Sequence, residues 1–203
     1  MLLEGNIWFL PFEIDFIVWL QSLGAGTFFQ KALLVLNNFL SLLGEETVLV
    51  LIMGAIYWGL DKKKGERIAV SLLAANVVNP LIKNVVRRLR PYQSTDKIEL
   101  LRDVGGYSFP SGHTSSAFAA GVALLWYDRK FGIPLTLFAA VMGFSRIYVE
   151  VHYCTDVLFG ALAGIVYALL GVLIVNKLYP VVMPKIEAKI KEFKEKRKTA
   201  NAA

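Results

Sequence analysis

The chain holds two histidines, and each stands among residues that suit an anion. His113 follows Pro110-Ser111-Gly112, where a polar loop gives way to an apolar run. A turn residue, an N-cap hydroxyl and a residue without Cβ read as a helix start. The first N–H groups of a helix lack intrahelical partners and carry partial positive charge, so a phosphate fits there and His113 faces the same anion. His152 lies four residues before Asp156, a spacing at which side chains on one helix meet. A carboxylate on one ring nitrogen fixes the tautomer and leaves the other basic, which is what a nucleophilic imidazole requires. Arg146, six residues before His152, offers a guanidinium. Lys83 and Arg90 are seven apart and share a face if one helix carries both, with Pro91 ending that helix and Pro80 kinking it. Arginine presents a planar fork to two phosphate oxygens, whereas lysine acts as a point charge. The neighbouring Arg87 and Arg88 read instead as cations snorkelling at a helix end. Each motif also has a structural reading: a capped helix with an incidental histidine, or a His–Asp cap at a turn. Their coincidence favours chemistry on phosphate.

The elements that must gather these residues are apolar helices. Of 203 residues 56% are hydrophobic and 19% charged, with mean hydropathy +0.52, a membrane-protein balance in a chain of about one domain. The pattern predicts an all-α, polytopic membrane helix bundle of about five to six spans, with N-terminal interfacial helices and a basic C-terminal helix. Spans are expected near 45–60, 68–84, 112–127, 133–150 and 155–176. Residues 12–24 mix acids with aromatics and read as a helix in the headgroup layer. Residues 28–43 read as interfacial or re-entrant, with a full span as the alternative. This divides the chain into a membrane domain over 1–178 (interfacial helices within 1–44, bundle over 45–178) and a tail over 179–203. In that tail Ile186, Ile190 and Phe193 share one helical face among lysines, suiting either an anionic inner leaflet or plain solvation. No removable signal peptide is expected, because the N-terminal apolar residues are broken by Glu4, Pro11, Glu13 and Asp15. Cys154 is the sole cysteine, which excludes an intrachain disulfide and a thiolate zinc cluster.

Charge sets the orientation. Lys62, Lys63, Lys64, Arg67, Arg129, Lys130 and the tail fall on one side, which the positive-inside rule makes cytoplasmic. Loop 85–110 and the turn 150–154 then face outward, and so do Lys83, Arg87, Arg88, Arg90, Lys97, Arg102 and Arg146. A basic outer surface runs against the topology bias, and a phosphate ligand gives it a reason. Ionisable groups at membrane depth are costly and usually functional. Most of the net charge of +6 belongs to the tail and loop ends beside spans, which argues against nucleic acid as a partner.

Lys83, six residues, Arg90-Pro91; then Pro110-Ser111-Gly112-His113; then Ser145-Arg146, five residues, His152, three residues, Asp156: this ordered set resembles the signature of the type 2 phosphatidic acid phosphatases. They are the membrane branch of a superfamily shared with vanadium haloperoxidases and glucose-6-phosphatase. The resemblance implies a membrane lipid phosphate phosphatase. In it His152 attacks phosphorus to form a phosphohistidine and Asp156 orients it. His113 protonates the leaving oxygen and then activates water. Lys83, Arg90, Ser111, Gly112 and Arg146 hold the phosphoryl oxygens, and no metal or other cofactor is needed. Undecaprenyl diphosphate, phosphatidylglycerophosphate and phosphatidate are all candidate substrates, since the motifs read phosphate and not the rest of the lipid. Two positions depart from the usual pattern: Glu150, where relatives commonly carry glycine, and Cys154, where many carry proline or an aromatic residue. A vanadate-dependent haloperoxidase on the same scaffold fits the spans poorly. A non-catalytic anion binder or transporter is the alternative of a different class, against which stand the intact His113, His152 and Asp156. Oligomeric state is open.

Overall fold

The computed structural model describes residues 5–23, 25–43, 48, 51, 54–55, 62–98, 104–178, 180–182, 184–186, 188 and 190–191. Seven helices are named among them: α1 Pro11–Ser22, α2 Phe28–Leu43, α3 Lys62–Val86, α4 Pro91–Ser94, α5 Gly112–Leu125, α6 Arg129–Tyr148 and α7 Cys154–Leu173. A π-helical turn, Ile174–Leu178, extends α7. The architecture is all-α, and no strand is named among the described residues. Among the described residues three helical stretches are long and apolar enough to cross a membrane: Lys64–Val86, Arg129–Tyr148 and Cys154–Ile186. They match the expected spans at 68–84, 133–150 and 155–176. The expected span at 45–60 and most of the basic tail fall outside the described residues.

The expected span at 112–127 is the 14-residue α5, about 21 Å long and shorter than a bilayer core. It is the central post of the bundle, packed by α3, α6 and α7. Its interior is built from small residues, with Ala117, Ala119, Ala120 and Ala123 at most 3% exposed. Lipid chains are as apolar as leucine, so membrane helices associate through close packing of small residues and not through hydrophobic expulsion. Gly164 illustrates this: a Cβ there would lie 2.5 Å from the Ser115 carbonyl oxygen and 2.6 Å from Phe118 Cβ. Asn79, Ser115 and Tyr167 link α3, α5 and α7 by hydrogen bonds inside the bundle. Outward, α7 exposes Leu158, Phe159, Leu162, Val166 and Leu169, a surface suited to lipid.

The helices run antiparallel, so chemistry and anchoring separate to opposite ends. One end gathers the C-terminus of α3, the N-terminus of α5, the C-terminus of α6 and the N-terminus of α7. At the other, Lys64 pairs with Asp128 at 2.8 Å, and Arg67 donates to Asn176 at 2.6 Å while stacking on Tyr127.

Helices α1 and α2 lie where the sequence predicts helices at 12–24 and 28–43. Pro11 opens α1 at N1, and Glu13 at N3 accepts the N–H of the N-cap residue Leu10 at 2.8 Å, half of a capping box. Ile14, Ile17 and Leu20 pack against Ile98, Ile147, Val149, Val151 and Tyr153. Helix α1 is thereby seated directly beneath the loops that carry His152.

Candidate active site

The condition under which Lys83 and Arg90 would share a helical face, one helix carrying both, is not met. Helix α3 ends at Val86 because Arg87 adopts φ +51°, in the left-handed region. Asn6 stabilises this stop: its N–H donates to the Arg87 carbonyl at 2.7 Å and its side-chain amide to the Val86 carbonyl at 2.8 Å. The chain then runs extended to Arg90, the N-cap of α4. The two cations converge through this reversal. Lys83 Nζ donates to the Tyr107 carbonyl at 2.6 Å. Arg90 holds the carbonyls of Gly106 at 3.1 Å, Gly105 at 2.9 Å and Val151 at 2.7 Å. One guanidinium thus fixes two loops, one entering α5 and one bearing His152.

Ser111 is the N-cap of α5, as expected, yet its hydroxyl caps no backbone N–H. It accepts instead from Thr114 Oγ1 at 2.8 Å and is fully buried. The Phe109–Pro110 peptide is cis. The Ser111 N–H donates to the Asp156 carbonyl at 3.0 Å, which ties the N-termini of α5 and α7 together. Gly160, one turn further along α7, has room for no Cβ: one would lie 2.8 Å from the Ser111 carbonyl oxygen.

His152 and Asp156 are not on one helix. His152 sits in the turn before α7, and Asp156 is the N3 residue of α7. They meet because Asp156 folds back over the helix start, its Oδ2 accepting the Tyr153 N–H at 2.9 Å. That places Oδ2 3.4 Å from His152 Nδ1. Nδ1 has no hydrogen-bond partner among the described residues, so the two groups face each other without a formed hydrogen bond, a geometry compatible with a catalytic pair. Burial, reinforced by the positive charges of Arg90, Lys83, His113 and Arg146, holds the His152 imidazole well below the usual histidine range. The ring is therefore neutral at neutral pH, and its nucleophilic lone pair is available. Arg146, in the last turn of α6, donates to Asn37 Oδ1 of α2 at 2.5 Å and to Ser145 Oγ at 3.0 Å.

Lys83, Arg90, Gly112, His113, Arg146 and His152 line one cavity of about 200 Å³. Ser111 and Asp156 stand behind this lining: Ser111 beneath Gly112, Asp156 beneath His152. Three cations, two imidazoles and a helix N-terminus around one small volume can hold a tetrahedral anion, attack it from one side and protonate it from another. Glu150 adopts φ +62° and is fully buried. That conformation favours glycine, the residue expected there from the resemblance, and costs another residue about 1 kcal/mol.

The sequence assigned Arg88 to a snorkelling helix end, and the structure corrects this. Arg88 is wholly buried. Its guanidinium lies 3.8 Å from the ring centres of both Trp8 and Tyr153. It donates to Asp156 Oδ1 at 2.5 Å, Thr155 Oγ1 at 2.7 Å, Glu13 Oε2 at 3.1 Å and the Trp8 carbonyl at 2.9 Å. Glu13, also fully buried, accepts the Thr155 N–H and hydroxyl through Oε1, each at 2.8 Å. The only signal available in the sequence was an excess of outward cations over the three assigned to phosphate, beside acids in an apolar N-terminal segment.

A family model described as the PAP2 superfamily matches residues 66–180, more than half of the chain. The chain is 39% identical over 98 residues to the undecaprenyl-diphosphatase BcrC of Bacillus subtilis, 48% of this chain and 51% of that protein. The match thus spans about half of that relative's length. It is 33% identical over 129 residues to an undecaprenyl-diphosphatase of Sulfolobus acidocaldarius, covering 62% of this chain and 63% of the other. The fold is similar to the crystal structure of LpxE from Aquifex aeolicus, with a TM-score of 0.70 and 24% identity over 80% of this chain and 95% of that one. Sequence and fold agree that this chain is a membrane protein belonging to the PAP2 superfamily.

Proposed function

We propose that the protein hydrolyses a membrane lipid phosphate or diphosphate through a phosphohistidine, without a metal ion. The observation that carries this is the common cavity onto which His152, His113 and the cations Lys83, Arg90 and Arg146 all open. Asp156 faces Nδ1 of His152, which leaves Nε2 to attack phosphorus. As the N–P bond forms, the P–O bond to the lipid or its inner phosphate breaks, and His113 gives its proton to the leaving oxygen. His113 then takes a proton from water, whose oxygen attacks the phosphohistidine, releasing inorganic phosphate and regenerating neutral His152. Lys83, Arg90, Arg146 and the Gly112 N–H at the start of α5 stabilise the charge on the non-bridging oxygens, with Ser111 holding that helix start in place, the work a metal does in other phosphoryl transfers.

A lipid substrate is supported by an apolar groove of about 570 Å³ between α1, α2 and α6, lined by residues such as Phe16, Leu20, Leu33, Leu40 and Phe144. Asn37 and Ser145 form part of its wall and are the hydrogen-bond partners of Arg146. A chain lying in the groove therefore ends beside a phosphate-binding cation. The names of the two curated relatives favour a polyprenyl diphosphate over phosphatidylglycerophosphate and phosphatidate. An extracytoplasmic site is supported by the basic residues at the opposite end of the bundle, which the positive-inside rule favours for the cytoplasm.

The test is phosphate release by the purified full-length chain from undecaprenyl diphosphate, phosphatidylglycerophosphate and phosphatidate, with His152→Ala as the blank. Release from at least one lipid, lost in the variant and retained in EDTA, is the expected result. A wild-type protein that binds these lipids without releasing phosphate would make it an anion binder instead.

A further inference from the structure

Arg88 belongs to none of the groups that line the phosphate cavity, yet it makes a short contact to the residue behind the nucleophile. We propose that Arg88 and Glu13 are positioning residues for the reaction, setting Asp156 so that one carboxylate oxygen is free to face His152. This role rests on the phosphatase reading of the site.

A carboxylate has two oxygens that exchange places by a half-turn about the Cβ–Cγ bond, and only one arrangement serves the imidazole. Here both oxygens are assigned. Oδ1 is taken by Arg88 Nη1 at 2.5 Å, and Oδ2 accepts the Tyr153 N–H at 2.9 Å while lying 3.4 Å from His152 Nδ1. The guanidinium is itself immobile. Two aromatic rings cover its faces, and its edge is bound by Trp8, Thr155 and Glu13 as well as Asp156. Glu13 adds a second hold from the far side. It accepts both the N–H and the hydroxyl of Thr155, the residue before Asp156, and so caps the N-terminus of α7 from another helix. All of Arg88, Glu13 and Asp156 are fully buried, where a charge is retained only if it is paired and hydrogen-bonded. A surface role for Arg88 or Glu13 is inconsistent with that burial. A purely structural clamp would bind anywhere along the α7 start, whereas this one binds the carboxylate that faces the nucleophile.

The experiment is a double-mutant cycle on phosphate release by the full-length enzyme, using Arg88→Lys, Arg88→Gln, Glu13→Gln and Asp156→Asn, with Tm measured for each. Arg88→Lys keeps the charge but loses the fork, and is expected to lower kcat about 10- to 100-fold, by analogy with the loss of a partner that orients a metal-ligating side chain. KM should stay near the wild-type value, because the phosphate cavity is untouched. Glu13→Gln, which keeps an acceptor for Thr155, should lower kcat less. Combined with Asp156→Asn, Arg88→Gln should cost little more than Asp156→Asn alone, since both act through one carboxylate. Arg87→Gln, at the exposed neighbour, should leave kcat unchanged. Where Arg88→Gln fails to fold, Arg88→Lys and Glu13→Gln carry the same comparison. An active wild type with Arg88→Lys unimpaired, a loss that follows KM and Tm and not kcat, or fully multiplicative losses in the cycle would overturn the positioning role and leave the phosphatase reading standing. A wild type that releases no phosphate from any lipid overturns both.

Discussion

His152 is made useful by what surrounds it more than by its own chemistry. Buried and facing four positive groups, its imidazole stays neutral well below the usual histidine range. Two consequences follow at this scale, one for activity and one for stability. The acid limb of kcat/KM, set by protonation of the nucleophile, should lie clearly below the ordinary histidine value of about 6.5, while the alkaline limb follows loss of the His113 proton. A pH–rate profile with its acid limb at or above that value would contradict the burial. Stability should fall on acidification too, but from a higher pH than the acid limb of activity. The unfolded chain protonates this histidine near 6.5 and the folded chain does not, so stability is complete above that pH and falls as pH drops below it. Thermal unfolding between pH 7 and 5 measures this, and His152→Ala should flatten the dependence while abolishing turnover.

At the scale of elements, the site depends on how closely α7 approaches α5. Gly160 and Gly164 set that distance, since a Cβ at either would collide with the backbone of α5. Gly164→Leu should destabilise by about 1–3 kcal/mol, the usual cost of overpacking, read as a lower Tm in detergent. Gly160→Ala should do more to activity than its stability loss explains, because its Cβ would press on the Ser111 carbonyl at the helix N-terminus proposed to bind phosphate. A Gly160→Ala enzyme with wild-type kcat would mean that α5 can shift without disturbing the cavity. Helix α1 belongs to the same scale. Its mixture of acids and aromatics made it legible as a helix and suggested the headgroup layer, yet Glu13 is not exposed to water. It is buried under α7, bound to Thr155 and Arg88.

For the whole molecule, the antiparallel helices put every residue lining the phosphate cavity at one end and the Lys64–Asp128 and Arg67–Asn176 pairs at the other. The proposed orientation makes a simple prediction in right-side-out vesicles. A cysteine at Lys97, in the loop between α4 and α5, should react with a membrane-impermeant maleimide, and one at Lys130, at the start of α6, should not until the membrane is permeabilised. Cys154→Ala provides the background for both. The reverse pattern would place phosphate release in the cytoplasm and leave the basic residues of the α3 start unexplained.

The chain order of the chemical groups was readable without coordinates, because motifs such as Ser111-Gly112-His113 and the periodicity of apolar helices are local properties, encoded within a few turns. Helix identity at α1, α2, α3, α5, α6 and α7 was legible for the same reason. Two local readings failed where the backbone left the helix: Lys83 with Arg90, separated by the left-handed Arg87, and His152 with Asp156, joined across a helix start and not along a helix. What only tertiary structure decided was which charges are buried. Arg88 and Glu13 are 75 residues apart, and nothing near either in sequence distinguishes a surface ion from one held between two rings against a carboxylate. Burial of a charge is a property of the partner that compensates it, and that partner is found only when the chain has folded.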